Sequence, residues 1–180
     1  MRHYIRAHTP GATYFFTLTL ADRSASWLVD HIDALRSAFR DVKRRHPFQL
    51  DAVVVLPDHL HALWTLPEDD ADFGTRWMLI KQGFTKRLHA QGVLDPRSAS
   101  VRGIHGELGL CQRRFWEHQV HDEADFAAHV EYIHFNPVKH GHVTRAADWP
   151  HSSFHRDVKQ GVLRSDWGLA APPQEGRFGE

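Results

Sequence analysis

Several segments of the chain arrange their apolar residues in the way that β-strands do. Residues 12–20 and 59–66 alternate with a period of two, so each predicted strand has two chemically different faces. Residues 48–56 are almost continuously apolar, which predicts a central strand covered on both faces. Residues 115–120 return to strand character after a long stretch without periodicity.

In other segments the apolar residues recur every three or four positions, which predicts amphipathic helices. The first of these helices ends at Arg45. The second runs from the N-cap residue Asp72 to Gly92, and the third begins after the N-cap residue Asp122. We expect the third helix to end at Pro137, because proline cannot donate a backbone hydrogen bond. The three apolar stripes are Leu28, Ile32, Leu35, Phe39 and Val42; Phe73, Trp77, Ile80, Phe84 and Leu88; and Phe126, Val130 and Ile133.

The order strand, helix, strand, strand, helix, strand is that of a ferredoxin-like fold. We therefore expect an α+β protein, a βαββαβ sandwich like that of RNA-recognition (RRM-like) domains, with a four- to five-stranded, mainly antiparallel sheet. The third helix is an extra element that carries candidate catalytic residues. Residues 92–112 are predicted to be a long loop. The domain is expected to span residues 1–157, followed by a mobile C-terminal tail at residues 158–180.

The composition excludes several classes of protein. The 22 basic and 22 acidic residues balance, so a polyanionic partner would need a local basic patch. No apolar run approaches the roughly 20 residues of a membrane span, and the N-terminus lacks the apolar stretch of a signal peptide, so we expect a cytoplasmic protein. Cys111 is the single cysteine, which excludes an intrachain disulfide and thiolate-rich zinc sites.

The alternating strand at residues 59–66 begins with two histidines on the same face. Pro57 and Asp58 predict a tight turn before it, so His59 and His61 would be held rigidly with their rings projecting the same way. Adjacent imidazoles of this kind suit two ligands of one metal ion. The alternative is a half-solvated strand face that carries two histidines by chance, because the chain has 16 of them.

A phenol and an amide share one face of the third predicted helix. At about 100° per residue, Tyr132 and Asn136 lie close together around the helix axis and away from its apolar stripe. An amide oxygen is a hard metal ligand, and a phenolic oxygen is a nucleophile. Together with two imidazoles they would form a set of three ligands and one attacking group.

The segments LPDHLHALWTLP, QRRFWEH, HVEYIHFNPVKHG and DWPHSSFHRD occur in this order. This series resembles the REP-associated tyrosine transposases, which are single-tyrosine members of the HUH endonuclease superfamily of bacteria. The resemblance extends from about residue 14 to residue 157. Relatives from insertion sequences commonly carry glutamine at the position of Asn136, which places the chain in the REP-associated branch.

The resemblance implies a monomer that binds single-stranded DNA hairpins formed by repetitive extragenic palindromes (REP). It implies that His59, His61 and Asn136 bind Mg²⁺ or Mn²⁺ and that Tyr132 is the nucleophile. The reaction would be transesterification: the tyrosine oxygen attacks the scissile phosphate and expels a 3′ hydroxyl, and the resulting 5′-phosphotyrosine is later attacked by another 3′ hydroxyl.

Basic residues near these elements are candidates for phosphate contacts. Arg113, Arg114 and Lys139 flank the predicted active-site elements, and each is equally compatible with a plain surface charge. Lys81 and Lys86 lie off the apolar stripe of the second helix and would face either phosphate or water. The sequence does not identify the base that activates Tyr132, for which His129, one turn earlier, is a candidate.

Two other functions fit the same elements. A non-catalytic module could stack unpaired bases of a DNA or RNA hairpin on an open sheet face that includes Phe15, and it would not need Tyr132. A metal-dependent phosphodiesterase that uses water would need His59 and His61 but tolerate the change of Tyr132 to phenylalanine.

Overall fold

A computed structural model of the protein describes residues 8–94 and 109–168. Its elements follow the predicted order, with the first predicted helix divided in two and with a 3-10 turn and a short helix added after the third. They are β1 (Thr13–Thr19), α1 (Trp27–Asp30), α2 (Ile32–Arg45), β2 (Gln49–Val55), β3 (His59–Thr65), α3 (Phe73–Ala90), β4 (Trp116–Gln119), α4 (Glu123–Lys139), a 3-10 turn (Ala146–Asp148) and α5 (Phe154–Lys159).

The four strands form one antiparallel sheet in the order β2-β3-β1-β4. This is the ferredoxin-like topology, so the predicted fold class is confirmed. The predicted central position of β2 is wrong, because β2 lies at the edge of the sheet. Residues 151–153 cover this edge: Val55 N donates to the His151 carbonyl at 2.8 Å and Ser153 N to the Val53 carbonyl at 2.8 Å. The nearly continuous apolar run of β2 reflects the covering of both faces of this strand and not a position in the middle of the sheet.

The sheet has a buried layer on each face. Helices α2 and α3 pack on one face, where Trp64 of β3 stacks on Trp77 of α3 at 4.3 Å between ring centroids and on Phe48 at 4.2 Å. Helix α4 packs on the other face, against Phe15 and Leu63. The period-two patterns of β1 and β3 are therefore confirmed, because alternate residues of each strand enter different cores.

The ends of the helices follow their predicted caps with two differences. Asp72 accepts a hydrogen bond from Thr75 N at 2.9 Å, and Asp122 accepts one from Asp125 N at 2.8 Å. The first predicted helix is divided at His31, which ends α1 and begins α2. Helix α4 continues past Pro137 to Lys139 as its last turn.

Part of the predicted tail is folded against α4. Helix α5 extends beyond residue 157, and the Trp167 ring lies 6.1 Å from those of His134 and Phe154. The rest of the predicted tail, residues 169–180, and most of the predicted loop, residues 95–108, lie outside the described residues. Among the residues that are described, no helix has the length and apolar character needed to cross a membrane.

Candidate active site

His59 and His61 lie on the face of β3 that α4 covers. Cross-strand pairing places His59 opposite Thr19 and His61 opposite Thr17 of β1. The two imidazole rings are 5.1 Å apart between centroids, and the residues are only 5% and 0% exposed. The alternative of a half-solvated strand face is therefore wrong, since two polar rings are buried side by side.

Each of the two imidazoles is oriented by a hydrogen bond at its Nδ1 atom. The His59 Nδ1 atom is 2.7 Å from Asp58 Oδ1, and the His61 Nδ1 atom is 2.9 Å from Thr17 Oγ1. Arg23 binds the other oxygen of Asp58 at 2.5 Å. Such partners fix the ring orientation of metal-binding histidines and direct Nε2 towards the metal.

Burial and hydrogen bonds shift the pKa values of His59 and Asp58. It lowers the pKa of His59 below its usual value, although the hydrogen bond to Asp58 acts in the opposite direction. Burial acts to raise the pKa of Asp58, but the hydrogen bond from His59 and the charge of Arg23 outweigh it and lower this pKa. A neutral imidazole beside an ionised carboxylate is the protonation state that a metal-binding histidine requires.

Tyr132 of α4 packs against the pair of histidines from the helix that covers this face of the sheet. Its ring centroid is 5.2 Å from that of His61 and 6.0 Å from that of Phe15, and the residue is 7% exposed. The Lys139 Nζ atom is 3.4 Å from the phenolic oxygen and lies 4.9 Å from the ring centroid. The structure therefore brings the predicted nucleophile against a predicted metal ligand and beside a positive charge.

Asn136 lies between two contacts that α4 makes with β3. Tyr132, one helical turn before it, contacts His61, and His140, one turn after it, lies 5.2 Å from His59. Because residues four apart share a helix face, Asn136 lies on the face of α4 that contacts the two imidazoles. It is 0% exposed, and its Oδ1 atom is buried.

These donor atoms fit a divalent cation. The His59 Nε2 atom is buried and makes no hydrogen bond within residues 8–94 and 109–168. A buried nitrogen without a partner is costly unless another group satisfies it, and a metal ion would do so. Two imidazole nitrogens and an amide oxygen form a donor set between those of typical zinc and magnesium sites.

Two contributors to the site were missed from the sequence. His140, the C-cap of α4, adds a third imidazole beside His59, and its only signal was its spacing of four from Asn136. Asp58 was interpreted as a turn residue only, although it also orients His59. Its second role depends on the side-chain geometry of the turn, which a sequence pattern does not specify.

One expectation about the sheet face is corrected. Phe15 is 0% exposed and lies under α4, 4.6 Å from the His129 ring and 5.4 Å from the His61 ring. The sheet face is therefore not open for base stacking at Phe15. His129, the candidate base for Tyr132, is 3% exposed, and its Nδ1 atom is 2.8 Å from the Asp125 carbonyl oxygen, so it is also a buried residue.

The predicted DNA-contact residues differ in their surroundings. Arg113, Arg114, Lys139 and Lys86 are exposed. Lys81 is half-buried, and its Nζ atom donates to the carbonyl oxygens of Gln112 at 3.2 Å and Arg113 at 3.1 Å. Lys81 is therefore engaged within the protein, where it holds the segment before β4 against α3.

The segment with the two arginines lies at the same end of the sheet as the histidines. Gln112 N donates to the Thr19 carbonyl at 2.8 Å, and Thr19 pairs with His59 across the strands. Arg113 and Arg114 follow directly. Their charges are therefore near the imidazole end of β3, whereas Lys86 lies farther along α3 in the direction of its C-terminus.

No protein-family profile matches the chain. The chain is 44% identical over 168 residues to a protein of Haemophilus influenzae named as a candidate REP-associated tyrosine transposase, with 93% of this chain and 94% of the relative covered. It is also 44% identical over 167 residues to the REP-associated tyrosine transposase of Escherichia coli K12, with 93% and 91% covered. A solved structure of a REP-associated tyrosine transposase bound to a REP hairpin has a TM-score of 0.84 at 42% identity, covering 100% of this chain and 98% of the other. The chain therefore belongs to the family of REP-associated tyrosine transposases.

Proposed function

We propose that this protein cleaves and rejoins single-stranded DNA at REP-type hairpins through a covalent bond to Tyr132. The observation that carries the proposal is the buried contact of Tyr132 with His61 at 5.2 Å, with His59 beside them. Its relatives are named transposases, and the similar solved structure holds a REP hairpin. The proposed active unit is a monomer.

In the proposed first step, the phenolic oxygen of Tyr132 forms a bond to the phosphorus of the scissile phosphate. The bond between phosphorus and the 3′ oxygen breaks, the 3′ oxygen takes up a proton, and the phenolic proton passes to solvent. The product is a 5′-phosphotyrosine and a free 3′ hydroxyl. Because one phosphodiester replaces another, a second 3′ hydroxyl can reverse the step and join strands.

His59 Nε2, His61 Nε2 and Asn136 Oδ1 are the atoms that would hold Mg²⁺ or Mn²⁺. When bound, the cation withdraws charge from the phosphate oxygens and orients the phosphate. Asp58 and Thr17 keep the two imidazoles in position through their hydrogen bonds to Nδ1.

Lys139 is proposed to favour the reactive form of Tyr132. An unperturbed phenol has a pKa of about 10, so a tyrosine nucleophile needs help near neutral pH. A positive charge 3.4 Å from the phenolic oxygen stabilises the phenolate by Coulomb attraction. The exposed ammonium would also contact the phosphate that approaches Tyr132.

Arg113 and Arg114 are proposed to hold the DNA backbone next to the site. Both are exposed at the end of the sheet that carries His59, and Lys81 fixes the backbone of their segment. Lys86 is proposed as a more distant phosphate contact. Phosphate contacts position the DNA without reading its sequence, so loss of these charges should weaken binding to all hairpins similarly.

The test is incubation of the protein with a hairpin oligonucleotide that carries a single-stranded flank and a 3′ label, in Mn²⁺, before denaturing electrophoresis. We expect a labelled band at the mass of a covalent protein–DNA adduct, which Tyr132→Phe abolishes while hairpin binding remains. Tyr14→Phe is the matched control, because its hydroxyl accepts from Thr9 N at 2.8 Å and its ring lies in the core on the other sheet face.

The other outcomes of this assay identify the alternatives. Binding without an adduct on any cognate hairpin would overturn the proposal and leave a non-catalytic hairpin-binding module. Cleavage that survives Tyr132→Phe and yields only free DNA ends would instead identify a metal-dependent phosphodiesterase that uses water.

A further inference from the structure

A second cluster of imidazoles lies at the N-terminal end of α4. It consists of His118 in β4, His121 in the following turn, and Asp125 in the first turn of the helix. One ligand atom from each of the three residues lies within 4.8 Å of the others. No residue of this cluster belongs to the proposed active site.

Asp125 holds the three residues together. Its Oδ2 atom is 2.9 Å from His118 Nε2 and accepts the backbone N–H of His121 at 3.0 Å, while its own N–H donates to Asp122. Burial acts to raise the pKa of Asp125, but hydrogen bonds from His118 and the His121 backbone outweigh it and lower this pKa. The carboxylate is therefore ionised and fixed beside two imidazoles.

The cluster borders a third imidazole, His129, which is buried. His129 Nδ1 is 3.0 Å from Asp125 Oδ1, and the His129 ring stacks on the His118 ring at 4.9 Å. On its other side His129 packs against Phe15, which also contacts Tyr132. The cluster is thus joined to the proposed active site by three successive ring contacts, His118 to His129, His129 to Phe15 and Phe15 to Tyr132.

We propose that His118, His121 and Asp125 bind a divalent transition metal of the Zn²⁺, Co²⁺ or Ni²⁺ class. Two imidazoles and one carboxylate are the ligands that such cations take, whereas Mg²⁺ prefers oxygen atoms. Ligand atoms of a tetrahedral site lie about 3.3 Å apart, given metal–ligand bonds near 2.0 Å. The His118 Nε2 and Asp125 Oδ2 atoms are 2.9 Å apart, so a cation would need to separate them by only a few tenths of an ångström, and the exposed His121 ring would turn inwards to complete the site.

Binding at this cluster would link β4 to α4. β4 is a short edge strand whose sheet partner is β1. α4 carries Tyr132 and Asn136. A cation shared by His118 and Asp125 therefore fastens the edge strand to the helix that carries the proposed nucleophile. The cluster does not include His59 or His61, so its occupancy does not depend on the proposed active-site metal.

The test is titration of the full-length, tag-free protein with Co²⁺, followed by calorimetry and visible absorption in the absence of DNA. The titration uses the His59→Ala background, so that the proposed active-site metal does not contribute. We expect this protein to bind one tight equivalent of Co²⁺. Adding His121→Ala should weaken that binding at least about tenfold, because one of three protein ligands is lost. Adding His89→Ala, an exposed histidine on α3, should leave it unchanged.

His121 is exposed, so its removal should leave the fold intact, which far-UV circular dichroism checks. We also expect the melting temperature of the His59→Ala protein to rise with Co²⁺, and this rise should disappear with His121→Ala. Equal Co²⁺ affinity with and without His121, or loss of binding with His89→Ala as well, would show adventitious binding only and overturn the proposal. Because neither readout involves Tyr132 or DNA, the result does not depend on the proposed transferase activity.

Discussion

At the scale of single residues, Asp58 connects a backbone turn to the chemistry of the site. The residue follows Pro57, accepts a hydrogen bond from Arg23 and is hydrogen-bonded to His59 Nδ1. One carboxylate thereby binds Arg23 and fixes the ring orientation of His59, and with it the nitrogen that would face a cation.

Asp58→Asn should weaken metal binding at the proposed active site without unfolding the protein. Asparagine favours the same turn conformations, but it lacks the charge that supports the His59 ring. We expect the Mn²⁺ concentration needed for half-maximal adduct formation to rise about 10-fold to 100-fold. Asp69→Asn, at an exposed acidic position, is the control and should behave as the wild type. An unchanged Mn²⁺ requirement in Asp58→Asn would contradict this role.

Lys139→Met should shift the pH dependence of cleavage. Without the ammonium 3.4 Å from the Tyr132 oxygen, the phenolate is less stable, so adduct formation should need a higher pH. The measurement is the single-turnover rate of adduct formation between pH 6 and pH 10. Lys159→Met removes an exposed lysine of α5 and serves as the control. A uniform decrease in rate at every pH would assign Lys139 to phosphate binding alone.

At the scale of elements, the covered edge of β2 depends on a buried contact from α4. Ser153 Oγ accepts the Val53 N–H at 3.0 Å and is 3.0 Å from His134 Nε2. Asp157 also meets the same nitrogen of His134, at 3.4 Å. Because both partners share one ring nitrogen, this serine, histidine and aspartate group is a structural clamp and not a nucleophile with its base.

The clamp predicts loss of stability in mild acid. Burial lowers the pKa of His134 from 6.5 to about 4, so the unfolded chain binds more protons than the folded protein between these values. The free energy of unfolding should therefore fall as the pH decreases from about 6.5 to about 4, by on the order of 3 kcal/mol from this group. His134→Gln cannot titrate and should flatten this dependence in urea titrations. An equally steep dependence in the variant would assign it to other histidines.

The sequence predicted the strands and helices themselves better than it predicted their positions relative to one another. Alternation identified both faces of β3, because the period of a strand is a local property. Apolar character wrongly placed β2 at the centre of the sheet. It shows that the faces of a strand are covered, but it does not show whether the strand pairs with another strand on one side or on both. The continuation of α4 through Pro137 was also missed. The helix ends two residues later, at Lys139, so the proline affects only the hydrogen bonds of its last turn.

The site was predictable to the extent that its spacing is local. His59 and His61 share a strand face, and Tyr132 and Asn136 share a helix face, so each pair follows from periodicity. Their meeting is a tertiary contact, which only the resemblance to a family indicated. His140 and the burial of His129 depend on how α4 docks, and no spacing rule contains that information.

At the scale of the whole molecule, one sheet separates a core for stability from a core that contains the site. Phe84 lies on the side of α2 and α3, whereas Phe15 lies on the side of α4, within 6.0 Å of Tyr132 and 5.4 Å of His61 between ring centroids. Both phenylalanines are 0% exposed. Their burial is equal, but their neighbours differ.

Phe84→Ala and Phe15→Ala should therefore affect stability alike and activity differently. Each should lower the free energy of unfolding by about 3–5 kcal/mol through the cavity left behind. Per folded molecule, adduct formation should be retained in Phe84→Ala and strongly reduced in Phe15→Ala, because the rings of His61 and Tyr132 lose a common support. Chemical denaturation combined with single-turnover rates measures both effects. Equal rates in the two variants would show that the cores are not functionally separate.

The meeting of β3 with α4 has a consequence for biosynthesis. The histidines are translated well before the tyrosine, and the two sides touch only after the final long helix has settled on the sheet. A growing chain on the ribosome therefore holds its two proposed histidine ligands before its proposed nucleophile and its third proposed ligand, Asn136. On the proposed function, strand-breaking capacity would arise only after α4 has been made, and fragments that end before Tyr132 would be harmless to DNA.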